Sequence, residues 1–165
     1  MDYRIRTGRP EESGLLAGII RTSFRDVADR FGLTRENAPK HPSNYTADWV
    51  QGDIDRGVTY FILDDGGVAA GCVGLEHADP KECYLERLAV LPDRRRRGLG
   101  RALVDHVLTQ AGRSGADRVS IGIIAEHTEL KGWYQRIGFI DGETKEFAHL
   151  PFHVTFLSYE IKGDS

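Results

Sequence analysis

The sequence predicts a mixed α/β fold gathered around one sheet, and three observations point there. Strand-like and helix-like segments follow one another in the order β-α-α-β-β-β-α-β-α-β-β. The 165 residues fit one domain of ordinary size, taken as 1–165. Hydrophobic residues make up 40% of the chain, enough for a sizeable core at this length.

The elements follow in chain order. "YRIRT" (Tyr3–Thr7) alternates and reads as a strand. Pro10 stands where a first helical turn tolerates proline, and Leu15, Leu16, Ile19, Ile20, Phe24 and Val27 keep helical spacing until Gly32. Gly32–Thr46 is irregular, broken by Pro39 and Pro42, and reads either as a substrate lid or as a surface insertion. "ADWVQGDIDR" is a short helix. Strands Val58–Asp64 and Val68–Ala78 flank the hairpin signal "DDGG", and Cys83–Leu91 is a third strand stopped by Pro92. Leu99, Leu103, Val107 and Ala111 form one stripe of a helix ending at Gly112. Asp117–Glu126 is a strand, Glu129–Ile137 a helix closed by Gly138, and "FIDGETKEF" and "HVTFLSYEI" a final antiparallel pair.

Composition excludes several function classes. The net charge of −3 lacks the basic excess of a nucleic-acid binder. No apolar run approaches the roughly 20 residues of a membrane span, and "MDYRIRTGRPEE" has no signal-peptide stretch, so the expectation is a cytoplasmic protein. Cys72 and Cys83, without a CxxC spacing, read as two buried thiols in neighbouring strands; no metal site is expected.

The informative stretch is "YLERLAVLPDRRRRGLGRALVDHVL", where a strand runs through an arginine-glycine turn into a helix. A helix N-terminus has unpaired N–H groups and positive partial charge, and glycine lets main chain approach a ligand. Together they suit a phosphate. The dinucleotide pattern G-x-G-x-x-G fails at Leu103, and the P-loop ending G-K-[ST] is absent. What stands there is Arg95-x-x-Gly98-x-Gly100.

This resembles the acetyl-coenzyme A motif [RQ]-x-x-G-x-[GA] of the GNAT superfamily of N-acetyltransferases. It follows a strand reading "LAVLP", and "WYQRIGF" supplies Tyr134, Gly138 and Phe139 downstream. The resemblance covers essentially the whole chain. It implies a mixed, mostly antiparallel sheet of about seven strands flanked by about four helices, splayed between the fourth and fifth strands. It also implies acetyl-coenzyme A as donor, its pyrophosphate on the main chain from Arg96 through Arg97, Gly98, Leu99 and Gly100 to Arg101. Arg95 opens the motif, and one or two of the Arg94–Arg97 side chains pair with the 3′-phosphate or face water. Leu88, Ala89 and Val90 would pair with the donor's arm, their main chain polarising the thioester carbonyl. Tyr134 matches the residue that protonates the departing thiolate. His127 stands where the family commonly has asparagine; it is expected to contact the arm, to point at the acceptor, or to cap the next helix.

In β geometry Tyr84, Glu86 and Leu88 share a face. The family's base positions fall at 84 or 86, so Glu86 is the candidate base, with a salt bridge or substrate contact as its other reading and Glu76 as second candidate. Phe31, Tyr45, Trp49, His149 and His153 are candidates for the acceptor site, and no acidic pocket wall is visible. A small-molecule amine is the expected acceptor. A protein N-acetyltransferase and a non-catalytic acyl-coenzyme A sensor are the alternatives. Nucleic-acid and membrane partners are not expected. "VTFLSYEI" offers an edge for a homodimer, which the sequence does not require.

Overall fold

In the computed structural model, which describes residues 2–161, seven strands form one sheet. They are β1 (Tyr3–Thr7), β2 (Thr59–Asp65), β3 (Val68–His77), β4 (Glu82–Val90), β5 (Arg118–Ile124), β6 (Ile140–Glu146) and β7 (His153–Glu160). Their order is β1-β2-β3-β4-β5-β7-β6. Every neighbouring pair is antiparallel except β4 and β5. The predicted hairpin forms at Gly66 and Gly67, whose φ values of 60° and 86° suit a tight turn with the strands' own twist.

Each face of the sheet carries two helices. Helix α1 (Ser13–Phe31) buries Leu16, Ile19 and Ile20 against Tyr60, Ile62, Cys72 and Ala89, joined by Val50 of α2 (Ala47–Asp55). Gly32 ends α1 in a left-handed conformation at φ 64°, and Leu33 N–H closes on Ala28 O at 2.8 Å. On the other face, Leu99, Leu103, Val104 and Val107 of α3 (Leu99–Arg113) pack on Phe61, Leu63, Val73 and Leu85. Helix α4 (Thr128–Ile137) adds Tyr134 to that core. The thiols of Cys72 and Cys83 are buried and free, in neighbouring strands as expected, but on opposite faces.

Two expectations are corrected. Leu88 does not share a face with Glu86. The β3–β4 register pairs Gly74 with Glu86 but Cys72 with Ala89, so β4 holds an extra residue there, and Arg87 takes a left-handed φ of 51°. The bulge reverses the alternation: Leu88 joins the α3-side core, while Glu86 and Arg87 turn together toward Tyr60 and α2. Strand β7 is not an edge. It lies between β5 and β6, and the exposed β6 is the strand that ends the sheet. The Gly32–Thr46 segment is partly packed against the body, and its His41 and Pro42 reach the cavities described below. Leu33, Ala38 and Tyr45 are buried, Asn37 Nδ2 donates to Gly32 O at 2.9 Å, and Asn44 Nδ2 donates to Ala38 O at 3.2 Å.

Candidate active site

Strands β4 and β5 pair only at Glu82 with Arg118, Cys83 with Val119 and Tyr84 with Ser120. Beyond Tyr84 they part, as the family resemblance implies. From Leu85 to Val90 the β5-facing edge of β4 therefore has no strand against it. Two cavities open into this split and share Phe24, Pro42, Leu85, Arg87, Ile121 and Gly122.

The first cavity, about 580 Å³, gathers most of the expected binding residues. Leu88, Ala89 and Val90 form one wall; Arg95, Arg96, Gly98, Leu99, Gly100 and Arg101 form one end; His127 and Tyr134 complete it. Arg97 and Glu86 are not in its lining.

The arginine-glycine turn prepares main chain for an anion. Arg96 and Gly98 both have left-handed φ, 66° and 78°. Gly98 is the N-cap of α3 and supplies no side-chain cap, while the first helical bond runs from Ala102 N–H to Gly98 O at 3.0 Å. The amides of Leu99, Gly100 and Arg101 thus have no acceptor within the helix. They face the cavity end with the positive pole of the helix behind them.

The arginine side chains are mostly engaged elsewhere. Arg94 pairs with Asp65 at 2.8 Å, Arg97 approaches the same carboxylate at 3.5 Å, and Arg101 holds Asp105 at 3.0 Å. Arg95 clamps the turn to α1, donating to Asp26 at 2.7 Å and Ser23 O at 2.6 Å, and also to Val90 O at 3.2 Å. Arg96 is exposed and has no hydrogen bond or ion pair among the described residues.

Tyr134 is 4% exposed, set edge-on to Trp133 and Phe139. Burial pushes its phenol well above the ordinary value, so it stays protonated. His127 caps α4: its Nδ1 accepts from Leu130 N–H at 3.4 Å. Burial and the nearby Arg30 hold the ring below the usual histidine range, hence neutral, which that acceptor role requires.

The second cavity, about 760 Å³, lies beyond the split and is lined by Tyr84, Glu86, Arg87, Ser120, Glu143 and Phe156, among others. Glu82 also lines it, neutralised by Arg118 at 2.7 Å. Glu82 and Glu86 of β4 and Glu143 of β6 thus line one cavity, with Glu76 of β3 beside Glu86, a grouping that chain order conceals. Glu86 stands against Arg87 at 2.5 Å and Arg56 at 3.7 Å. Burial and neighbouring Glu76 nevertheless push its carboxyl up to about 7. Glu76 moves the opposite way, through its contact with Glu86 and with Arg56. The pair titrates as a unit in which Glu86 is the member that keeps its proton longer.

The acceptor candidates read from sequence are not there. Phe31 packs on His127, Tyr45 is buried with its hydroxyl on Asp53, and Trp49 stands edge-on to Tyr45. His153 pairs with Glu126 at 2.9 Å, and His149 lies beside Phe147. None of the five lines either cavity. The residues that sequence reading missed are Arg87, Asp53 and Tyr60. The available signal was a second charged residue, Arg87, beside Glu86 in an otherwise apolar strand. Among the described residues no group of three metal-ligating side chains forms, and no helix is long and apolar enough to cross a membrane.

Comparison with known proteins agrees with this geometry. Residues 22–139 match the family described as "Acetyltransferase (GNAT) family". Over 64 residues the chain is 41% identical to the mycothiol acetyltransferase of Streptomyces griseus, covering 39% of this chain and 21% of that protein. Over 87 residues it is 31% identical to the mycothiol acetyltransferase of Beutenbergia cavernae, covering 52% of this chain and 29% of that one. The matches thus span less than a third of those relatives. Among solved structures, the PaiA N-acetyltransferase of Thermoplasma acidophilum in complex with coenzyme A aligns with a TM-score of 0.79 at 15% identity, over 97% of this chain and 99% of that one. The yncA protein of Salmonella typhimurium, solved with its cofactor acetyl-CoA, aligns with a TM-score of 0.71 at 15% identity, over 100% of this chain and 97% of that one. At such identities the likeness is one of fold.

Proposed function

Because the chain belongs to the acetyltransferase (GNAT) family, we propose that it transfers an acetyl group from acetyl-coenzyme A to the amine of a small molecule. The observation that carries this reading is the split between β4 and β5, which joins an anion-ready helix start, an unpaired strand edge and a buried tyrosine in one cavity.

The residues present fit the donor. The free amides of Leu99, Gly100 and Arg101 would hold the pyrophosphate, and Gly98 supplies the left-handed turn that aims them. The open edge at Leu88–Val90 offers main-chain groups to the amide-bearing arm. Arg96 is the side chain available for a peripheral phosphate. The donor brings an activated thioester, so the protein needs no nucleophile of its own. Glu86 takes the proton released as the amine's C–N bond forms, and its raised carboxyl suits that work near neutrality. Tyr134 gives a proton to the sulfur as the C–S bond breaks. Holding both partners across one split supplies much of the acceleration.

The acceptor basin is rimmed by Pro42 on one side and by Gly142 and Glu143 on the other, which suits a compact amine. Incubation with acetyl-coenzyme A and a panel of small amines, followed by free-thiol release, tests the reading. Turnover with at least one amine is expected. Tight acetyl-coenzyme A binding with no turnover on any amine or peptide N-terminus would make the chain a sensor instead.

A further inference from the structure

Beside Glu86 lies a buried ionic cluster that the transfer reaction as described above does not use. Asp53 of α2, 4% exposed, accepts from the Tyr60 hydroxyl at 2.6 Å and also from Tyr45 and Arg56. Burial works against the Asp53 carboxylate, but these donors and Arg87 outweigh it and keep its carboxyl below the usual range. Arg87 Nε donates to Tyr60 Oη at 2.7 Å, and its guanidinium lies over the Tyr45 ring at 5.0 Å. One nitrogen, Nη2, faces two carboxylates, Asp53 at 3.3 Å and Glu86 at 2.5 Å.

Two features set this cluster apart from ordinary packing. Arg87 holds a left-handed φ of 51° in mid-strand, a conformation that side chains adopt only where their surroundings enforce it. Burying a set of ions also rarely stabilises a fold more than apolar packing of the same volume. The cluster reaches the split between the strands, where Arg87 lines both cavities and Glu86 the second, while Arg56 closes its other side toward solvent.

We propose that Arg87 is a positioning residue: braced by Asp53, Tyr45 and Tyr60, its planar guanidinium, which borders both cavities, holds the Glu86 carboxylate in the wall of the second. The inference rests on the reading of Glu86 as base. A lysine would keep the charge but not the flat fork that reaches tyrosine and two carboxylates together. The charged groups facing Glu86 are Arg87 of its own strand, Glu76 of β3 and Arg56 after α2. Across the cavity, Glu82 and Arg118 satisfy each other. Arg87 is therefore the cation in closest contact, and Asp53 divides its charge.

The test is a carboxyl titration of the full chain, labelled with ¹³C-glutamate, with the Glu86 resonance assigned by its loss in Glu86→Gln. Arg87→Gln is expected to move the Glu86 midpoint up by about one pH unit or more, since its nearest cation is gone. Asp53→Asn is expected to move it down, because Nη2 then serves Glu86 alone. Shifts that are absent, or that share one direction, overturn the proposal. Charge alone sets these signs, so positioning is read from Arg87→Lys, which keeps the cation but not the fork: it is expected to lower kcat/KM for the same amine by about tenfold with acetyl-coenzyme A affinity unchanged, and wild-type kcat/KM in that variant overturns the proposal. Should Arg87→Gln not fold, Asp53→Asn and Arg87→Lys decide: a downward shift in the first with a fall in kcat/KM in the second supports the proposal, and any other result overturns it. The base reading fails separately, if Glu86→Gln transfers acetyl groups at the wild-type rate while the titration shifts persist.

Discussion

The two cavities that meet at the β4–β5 split are built of different materials. In the first cavity, proposed to take the donor, the polar groups offered are those of the main chain: free amides at the start of α3, two left-handed turns and an unpaired strand edge. Its arginine side chains are mostly occupied in holding the turn in place. In the second, proposed to take the acceptor, the polar groups are side chains, with Glu86, Arg87, Glu82 and Arg118 facing it and Asp53 and two tyrosines behind. A site made of main chain grips what every substrate shares. A site made of side chains decides which substrate is admitted and when protons move.

Tyr134 lines the first cavity, and as the proposed acid its removal should cost most. Tyr134→Phe is expected to lower kcat by roughly a hundredfold or more, the usual worth of a general acid. Acetyl-coenzyme A affinity and melting temperature should stay near wild type, because the hydroxyl has no partner among the described residues. Calorimetry and thiol release measure both. A variant that loses binding instead would make Tyr134 part of the donor cavity's grip.

Next comes the acceptor side. With its carboxyl near 7, Glu86 accepts a proton only when ionised, so kcat/KM should fall about tenfold per pH unit below that value and level off above it. Glu86→Gln should lower kcat/KM by roughly tenfold to a hundredfold at pH 8, with that limb removed for the same amine. Stability carries the same signature. The folded chain binds this proton more tightly than the unfolded chain, whose carboxyl lies at 4.5, so stability falls as pH rises from there through about 7. Wild type should lose melting temperature across that window relative to Glu86→Gln. Equal slopes would show that Glu86 is not the titrating group.

The donor side separates its two glycines. Gly98 has φ 78°, and a Cβ there meets nothing within 4 Å, so its need is conformational. Gly98→Ala should cost about 1 kcal/mol of stability as well as donor affinity. Gly100 has an ordinary φ, and its Cβ would lie 3.5 Å from the Trp133 ring, a normal contact. Gly100→Ala should therefore leave both melting and acetyl-coenzyme A affinity near wild type, as expected at a motif position that takes either glycine or alanine. If Gly98→Ala binds normally, the amides do not hold the pyrophosphate.

The contrast also explains what the sequence disclosed. Local main-chain devices leave local marks: Gly98 and Gly100 stand within six residues of Arg95, and helical spacing after them identifies α3. Gly66-Gly67 and Gly32 likewise marked their turn and helix end. The acceptor network leaves no such mark, because Asp53, Tyr60, Glu76 and Arg87 come from α2, β2, β3 and β4 and meet only when the sheet forms. The bulge at Arg87 is the sharpest case. Strict alternation placed Leu88 beside Glu86, and one extra residue reversed the face, something set by the β3 register rather than by β4's own residues. The β7 placement failed similarly, since insertion between β5 and β6 is a matter of long-range pairing.

The smallest expected effect distinguishes arginines that look identical in "RRRR". Arg94 and Arg97 share Asp65, and Arg95 holds α1, so removing any of these disturbs the fold or nothing. Arg96 alone of the four has no partner among the described residues, while its left-handed φ of 66° sets it at the cavity end. Arg96→Ala is expected to weaken acetyl-coenzyme A by roughly threefold, the scale of an exposed ion pair, and less at high salt. Arg97→Ala should leave affinity within experimental scatter. Repeating both titrations with 3′-dephospho-coenzyme A identifies the partner: if Arg96 meets the 3′-phosphate, its removal no longer matters for that ligand. A loss that persists would assign Arg96 to the pyrophosphate and extend the grip on it from main chain to side chain.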